Sequence, residues 1–321
     1  APYERLGHAR GSRAMRIVTC AAVPERDWNA FVDANESAWF WHRTEWLAYC
    51  RAYRPDAVDL SFAVLDDAGV IRAICPLLKE GDAFLMCGEP CIVPVADQLD
   101  RVDVWWPGVV ADAIAAVAKA NNVARGQWRP MPWYGWSYWI QERYIGWETV
   151  VIDLRQSEKD LWSGLRRSYR SLIHRAEEEY EICQHALVGG GISVRTMQRL
   201  HAEAAGRETR LAETWNLMAR YLDARHAIAL LAFKSGEPRG FVYVYTYKDW
   251  AYYGHAACLD PNVNHALLWQ AILACKALGL CTFEVGWTGH ATDEKGQAIE
   301  HFRRGFSDAR MPVGAVERTF P

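Results

Sequence analysis

One order of hydrophobic periods runs twice along this chain of 321 residues, and few folds can satisfy it. In the first half, "MRIVTCAAV" (15–23) has the β-branched content of a strand, and "PERDWNAFVDAN" (24–35) and "RTEWLAYCRAY" (43–53) place apolar residues at helical spacing. Pro24 suits a helix start and Thr44 an N-cap. The period then falls to two: "LSFAVLDDAGVIRAICPLLKE" (60–80) reads as two strands around an Asp-Asp-Ala-Gly turn. A strand (82–88), an Ala-rich helix (106–122) and an extended segment (123–130) follow. The second half repeats the order. It begins with a strand (146–154), a long helix (155–180) capped by Ser157 with Asp160 as an imperfect capping-box partner, a strand (180–186) and a Gly-Gly-Gly joint (189–191). Two helices (193–207, 212–225), a three-strand meander (227–258) and an apolar helix (264–280) closed by Gly279 come next. A strand (281–287), a short helix (294–307) and a last strand (311–320) end it. Helices interspersed with antiparallel meanders indicate an α/β (α+β) protein, and this length holds roughly two domains. The expected division is a disordered leader (1–14), a first domain (15–153) and a second (154–321) that carries the active site.

Composition removes several functions. The net charge is -3 with 23% charged residues, which excludes a generally basic nucleic-acid binder and leaves room for a local basic patch. The nine cysteines are scattered; "CGEPC" (87–91) lacks the second pair of a structural zinc site, so reduced thiols, a cytoplasmic setting and no metal are expected. No apolar run approaches the ~18 residues of a membrane helix. "APYERLGHARGSRAM" has no apolar core of a secretory signal. Of 16 Trp, five fall in "QWRPMPWYGWSYWIQERYIGW" (127–147), where Pro130 and Pro132 forbid a continuous helix. That stretch, with Trp133 and Trp136, is an aromatic-packed crossover, a wall of a substrate cleft, or both.

Several segments match in order and spacing. "AYYGHAAC" (251–258), "NHALLWQAILACKALG" (264–279), "FEVGW" (283–287) and "IEHFRRGF" (299–306) follow one another, and "LWSGLRRSYRSLIHRAEEE" (161–179) and "LHAEAAGRETR" (200–210) precede them. Together they resemble the FemABX and FemAB-like (BioF2-like) acyltransferases of the GNAT superfamily over nearly the whole chain. The resemblance implies two tandem GNAT-like domains, each a mixed, mostly antiparallel central sheet flanked by helices. It implies an N-acyltransferase that takes an aminoacyl group, with aminoacyl-tRNA as the expected donor, to an amine of a small-molecule or cell-envelope-precursor acceptor. No cofactor is implied beyond the co-substrate, aminoacyl-tRNA or acyl-CoA. An acyl-CoA enzyme on the same fold and an inactive binding module are the alternatives.

By the same resemblance, Arg303 occupies the place of the lysine in the family's Phe-Lys pattern, where it stabilises developing negative charge; read alone, it is equally a surface arginine on an amphipathic turn. Catalytic candidates are Arg303, His255 and Glu284, with Asp260 and Glu300 as further carboxylates. His255 has a side chain suited to proton transfer near neutral pH. Arg207 and Arg210, spaced i, i+3, suit an anionic acceptor group, and Tyr252 and Tyr253, on opposite faces of one strand, place one ring in the cleft. Arg166, Arg167 and Arg170 on the long helix suit donor phosphates. The loop "CLDPNVNHALL" (258–268) has no Gly for a pyrophosphate cradle, and Asp260 opposes phosphate, which disfavours acetyl-CoA.

Overall fold

The structure, a computed structural model, describes residues 15–96, 106–129, 143–184, 190–289 and 291–321. Trp133 and Trp136 lie outside the described residues. The chain divides into two compact units, Ala1–Gly146 with Val313–Pro321, and Trp147–Pro312. This departs from the expected boundary at 153/154 at both ends. Glu148–Asp153 already pair with Thr282–Thr288 of the second unit, while Val316–Thr319 pair with Arg125–Trp128 of the first.

The first unit holds β1 (Arg16–Thr19), α1 (Glu25–Ala34), α2 (Thr44–Tyr53), β2 (Val58–Asp59), β3 (Phe62–Leu65), β4 (Ile71–Cys75), β5 (Leu78–Glu80), β6 (Ala83–Phe84), β7 (Cys91–Ile92), β8 (Val95–Ala96), α3 (Trp106–Ala120) and β9 (Arg125–Arg129). One sheet runs β1-β3-β4-β8. The run 60–80 is therefore more than one hairpin. Asp66 Oδ1 accepts from the amides of Ala68 and Val70 to make the expected turn, but Pro76 ends the ladder and the chain leaves for a different sheet, in which β5 pairs β2 and β6. The expected strand 82–88 shrinks to two residues, because Cys87 and Gly88 take positive φ in a tight turn. Thr44 opens α2 and bonds Asn29 rather than capping the helix. Trp28, Trp39 and Trp128 are fully buried, so much of the first unit's tryptophan is core.

The second unit continues with β10 (Arg143–Asp153, within this unit from Trp147), α4 (Glu158–Gly164), α5 (Arg167–Glu179), β11 (Glu181–Gln184), α6 (Gly190–Ala205), α7 (Ala212–Asp223), β12 (Ala227–Lys234), β13 (Glu237–Tyr247), β14 (Trp250–Cys258), α8 (Val263–Ala277), β15 (Thr282–Thr288) and α9 (Glu294–Arg303). The last strand, β16 (Arg310–Thr319), starts here and from Val313 belongs to the first unit. The sheet order is β11-β12-β13-β14-β15-β10, antiparallel except for β14 and β15. β13 is buried on both faces. Val242 and Val244 join the core formed with α5 and α8, while Phe241 meets Trp215 and the Tyr243 hydroxyl donates to Met218 O of α7. α8 is apolar on most sides because it lies between the sheet and α5.

The expected helix 155–180 is two helices. Leu165 and Arg166 are extended, Leu165 is buried, and the Arg166 amide donates to Gly305 O at 2.9 Å. A backbone bond to a distant segment replaces the helical bond that local propensity favours. Ser157 caps the first piece as expected, accepting from the Asp160 amide at 3.1 Å.

Candidate active site

β14 and β15 are parallel neighbours only at Trp250/Thr282, Ala251/Phe283 and Tyr252/Glu284. Beyond that apex each follows its other partner, β13 and β10, and the two strands part. A bulge sits on each strand where they diverge. Tyr243 and Val244 oppose His255 and Tyr253, leaving Gly254 as the extra residue; Val150 and Val151 oppose Gly286 and Glu284, leaving Val285. Gly254 is required by space, since a Cβ there would stand 2.5 Å from the Tyr245 ring.

The bulge at Gly254 changes which side chains meet. In a regular strand Tyr253 and His255 share a face. Here Tyr253 packs against the α5–α8 core and meets Asn264 of α8, whereas His255 meets Arg210 and Tyr245 on the side of α6 and α7. Phe283 and Val285 lie in the α8 core, which places Glu284 on the other face. The gap thus has Arg303 and Tyr253 on one side and His255, Arg210 and Glu284 on the other.

On the first side, the "HFRRGF" segment is the end of α9 and the turn that leaves it. Phe302 and Phe306 pack on Tyr169 and His265, with ring centroids between 5.0 and 6.4 Å apart. Gly305 admits the Tyr169 ring, which would lie 2.0 Å from a Cβ. Arg304 turns outward to Glu300 at 3.7 Å. Arg303 turns inward: its Nη1 donates to Trp287 O at 2.7 Å, and its guanidinium lies over Gly286, where a Cβ would stand 2.9 Å from Cζ and Nε. Gly286 has φ +121, a second reason for glycine. Arg303 Nε is buried and has no hydrogen-bond partner among the described residues. Burial pushes the Tyr253 hydroxyl up to about 12, against the pull of the Arg303 charge, so it stays protonated. Asn264 Nδ2 donates to it at 3.3 Å.

On the other side, Arg210 Nη2 meets His255 Nδ1 at 3.0 Å, and His255 Nε2 meets the Tyr245 hydroxyl at 3.1 Å. A guanidinium only donates, so Nδ1 accepts and the ring proton sits on Nε2, toward Tyr245. Burial, then the charges of Arg210 and His201, hold His255 well below the ordinary histidine range. His201, with Thr209 Oγ1 at 2.8 Å from Nδ1, is lowered to about 4 by burial and by Arg210. Glu284 is 2% exposed and accepts from Thr149 Oγ1 at 2.8 Å.

Other candidates separate. Arg207 is exposed: α6 ends at Ala205 and Gly206 turns at φ +67, so the i, i+3 spacing with Arg210 does not lie on a helix. Asp260 is gripped by Arg239, at 2.9 and 2.6 Å, and by the Tyr180 hydroxyl at 2.9 Å. Those bonds hold it down at about 2, so it is no proton acceptor at neutral pH. Glu300 accepts from the Ala291 amide at 2.8 Å. Arg166 lies beside the "HFRRGF" turn, with Nη1 2.6 Å from His301 Nε2 and 3.2 Å from the Tyr169 hydroxyl. Arg167 is exposed and Arg170 half-buried on the next turns of α5. Asn264, Thr149 and Tyr245 were not expected. Each became a partner only through strand pairing or helix packing, and their local sequence carries no signal. Among the described residues no group of three His, Cys, Asp or Glu is placed to hold a metal, and no helix is long and apolar enough to cross a membrane.

Solved structures share this architecture. The chain is similar to FemX, with a TM-score of 0.64 at 11% identity over 93% of this chain and 96% of that chain. It is similar to the C-terminal domain of a putative lysylphosphatidylglycerol synthetase from Agrobacterium fabrum, with a TM-score of 0.57 at 13% identity over 91% and 90%. A tandem GNAT protein from the clavulanic acid biosynthesis pathway matches with a TM-score of 0.53 at 12% identity over 94% and 98%. No protein-family model matches the sequence, and no curated protein matches it. The chain has the tandem GNAT-like fold that the order of its elements implied.

Proposed function

We propose that this tandem GNAT-like protein is an N-acyltransferase that moves an aminoacyl group from aminoacyl-tRNA to an amine of a small-molecule or cell-envelope-precursor acceptor. The observation that carries the reading is the parting of β14 and β15 with Arg303 locked at its edge, anchored through Trp287 O and holding a buried, uncommitted Nε–H. The two faces of the gap suit two substrates. Donor enters beside Arg303, Tyr253 and α5; acceptor enters beside Arg210 and α6.

In the reaction the acceptor amine forms a C–N bond to the ester carbon, and the carbonyl oxygen takes the negative charge. Arg303 opposes that charge from a fixed position, where a pre-organised cation needs no reorientation. The C–O bond to ribose then breaks. Tyr253, protonated at neutral pH, is the O–H donor for the departing oxygen. Glu284, on the acceptor side of the apex, takes the amine proton. His255, committed to Arg210 and Tyr245, positions Arg210 for an anionic group of the acceptor rather than taking a proton. No prosthetic group is needed. An acyl-CoA donor fits less well, because the loop before α8 has no glycine and its Asp260 is tied to Arg239 and Tyr180.

Incubation with a labelled aminoacyl-tRNA pool, and separately with acetyl-CoA and longer acyl-CoAs, tests the reading. Transfer from one aminoacyl-tRNA is the expected result. Transfer from acyl-CoA alone would replace the donor, and binding without transfer from either would make the protein a binding module.

A further inference from the structure

Four of the nine cysteines gather in the first unit: Cys50 neighbours Cys87 and Cys91, and Cys91 neighbours Cys75. We infer that Cys87 is an oxidation site. A hydroperoxide oxidises its sulfur, and Cys50 then closes on it as a reversible disulfide that clamps α2 to the turn between β6 and β7. The clamp belongs to the first unit and does not depend on the acyl transfer proposed for the second.

Three successive residues of that turn lie along one stripe of α2 and its C-cap. Trp46 Nε1 donates to Met86 Sδ at 3.2 Å. Four residues on, the Cys50 thiol hydrogen-bonds to Cys87. Four further, Arg54 Nη2 stands 2.9 Å from where a Cβ on Gly88 would be. Residues at i, i+4 and i+8 share a helix face, so the two outer contacts hold the sulfur pair between them. Cys50 is fully buried and Cys87 half-buried, which leaves Cys87 as the sulfur that a dissolved oxidant reaches. The turn also fixes Cys87 against preference. Met86 and Glu89 exchange backbone bonds of 2.8 and 3.1 Å, and Cys87 and Gly88 between them take φ +59 and +80. Such a two-residue turn favours Asn, Asp or Gly at both positions, and a cysteine stands at the first.

The chemistry closes with the groups in place. Cys87, as thiolate, attacks one peroxide oxygen; the O–O bond breaks, water or an alcohol leaves, and Cys87 carries a sulfenic acid. The Cys50 sulfur then attacks the Cys87 sulfur, the S–O bond breaks, and the hydroxyl leaves as water with the Cys50 proton. The two thiols lose two electrons and two protons, and the peroxide gains them. Burial holds Cys50 well above the ordinary thiol range, so it keeps its proton until the sulfenic oxygen is there to take it. The sequence sets Cys87 beside Cys91 in "CGEPC", but the Cys91 thiol turns to Leu78 O of β5 at 4.0 Å. Among the described residues no group of three His, Cys, Asp or Glu could hold a metal, so the pair is read as a thiol couple and not as part of a metal site.

Peptide mapping of the full chain tests the pair. The protein is treated with hydrogen peroxide, its remaining thiols are alkylated, and the digest is read by mass spectrometry. The expected product is the Cys50 peptide joined to the Cys87 peptide, lighter than the two thiol forms by about 2 Da for the two hydrogens lost, and absent after dithiothreitol. The oxidised first unit should unfold at a higher temperature than the reduced one, because the link constrains the unfolded chain. Cys87→Ser should abolish both changes, and Cys91→Ser should keep both. Cys87 halted at a sulfenic or sulfinic acid, or linked to Cys91 instead, would overturn the pair. So would a Cys87 left unmodified at peroxide levels that oxidise the half-buried Cys183. A link that forms and leaves the unfolding temperature unchanged or lower would overturn the clamp.

Discussion

Arg303 was a candidate because it stands between two phenylalanines where the resembled family has a lysine, and the structure shows what those phenylalanines do. Phe302 and Phe306 clamp the turn to Tyr169 and His265, and of the residues between them Arg303 faces inward and Arg304 outward. Arg303→Ala should lower kcat at least about tenfold with the fold intact, in keeping with the loss of one fixed oxyanion partner. Arg303→Lys should recover part of that loss. Gly286→Ala should cost comparable activity without touching a reacting group, because its Cβ and positive φ together displace the guanidinium. Steady-state kinetics on the pair and their double mutant checks this: additive losses would mean that Gly286 does not act through Arg303. At the same scale, the helical spacing read for Arg207 and Arg210 does not hold, and Asn264 and Thr149 were missed. A side chain's partner is set by which element arrives beside it, which no short stretch of sequence encodes.

Elements were mostly visible, and their interruptions were not. The period-two runs and helical stripes mark nearly every strand and helix, but the break at Leu165–Arg166 and the bulge at Gly254 are answers to distant neighbours, Gly305 O and the Tyr245 ring. Gly305→Ala should destabilise the second unit by about 1–3 kcal/mol through overpacking against Tyr169, read from its thermal or denaturant unfolding. The loop before α8 makes a pH prediction. Asp260 is held at about 2 from an ordinary 3.8, chiefly by its bonds to Arg239, so its stabilising contribution is full above pH ~4 and is lost as pH falls through about 2. Asp260→Asn should therefore lower Tm near neutral pH, with the difference from wild type vanishing toward pH 2.

For the whole molecule, the duplication was readable and the closure was not. Val313, Ala315 and Val316 are buried in the first unit, and Phe320 packs on Phe84 and Trp128, although the chain reaches them after finishing the second. Deleting residues 313–321 should weaken the first unit by ~3 kcal/mol or more, the burial of two valines and an aromatic ring, seen as an earlier transition in calorimetry. The sequence by itself determined the class of fold, since the period of its apolar residues dictates which segments are helices and strands and in what order. It did not determine the inward place of Arg303, which read alone is equally a surface arginine and is fixed by Trp287 O and Gly286 of a distant strand. Only the tertiary structure decided that β14 and β15 part, that His255 and Tyr253 end on opposite faces, and that the first unit closes with the last strand. Those outcomes rest on pairings between residues far apart in the chain, whose free energy appears only when the partners meet.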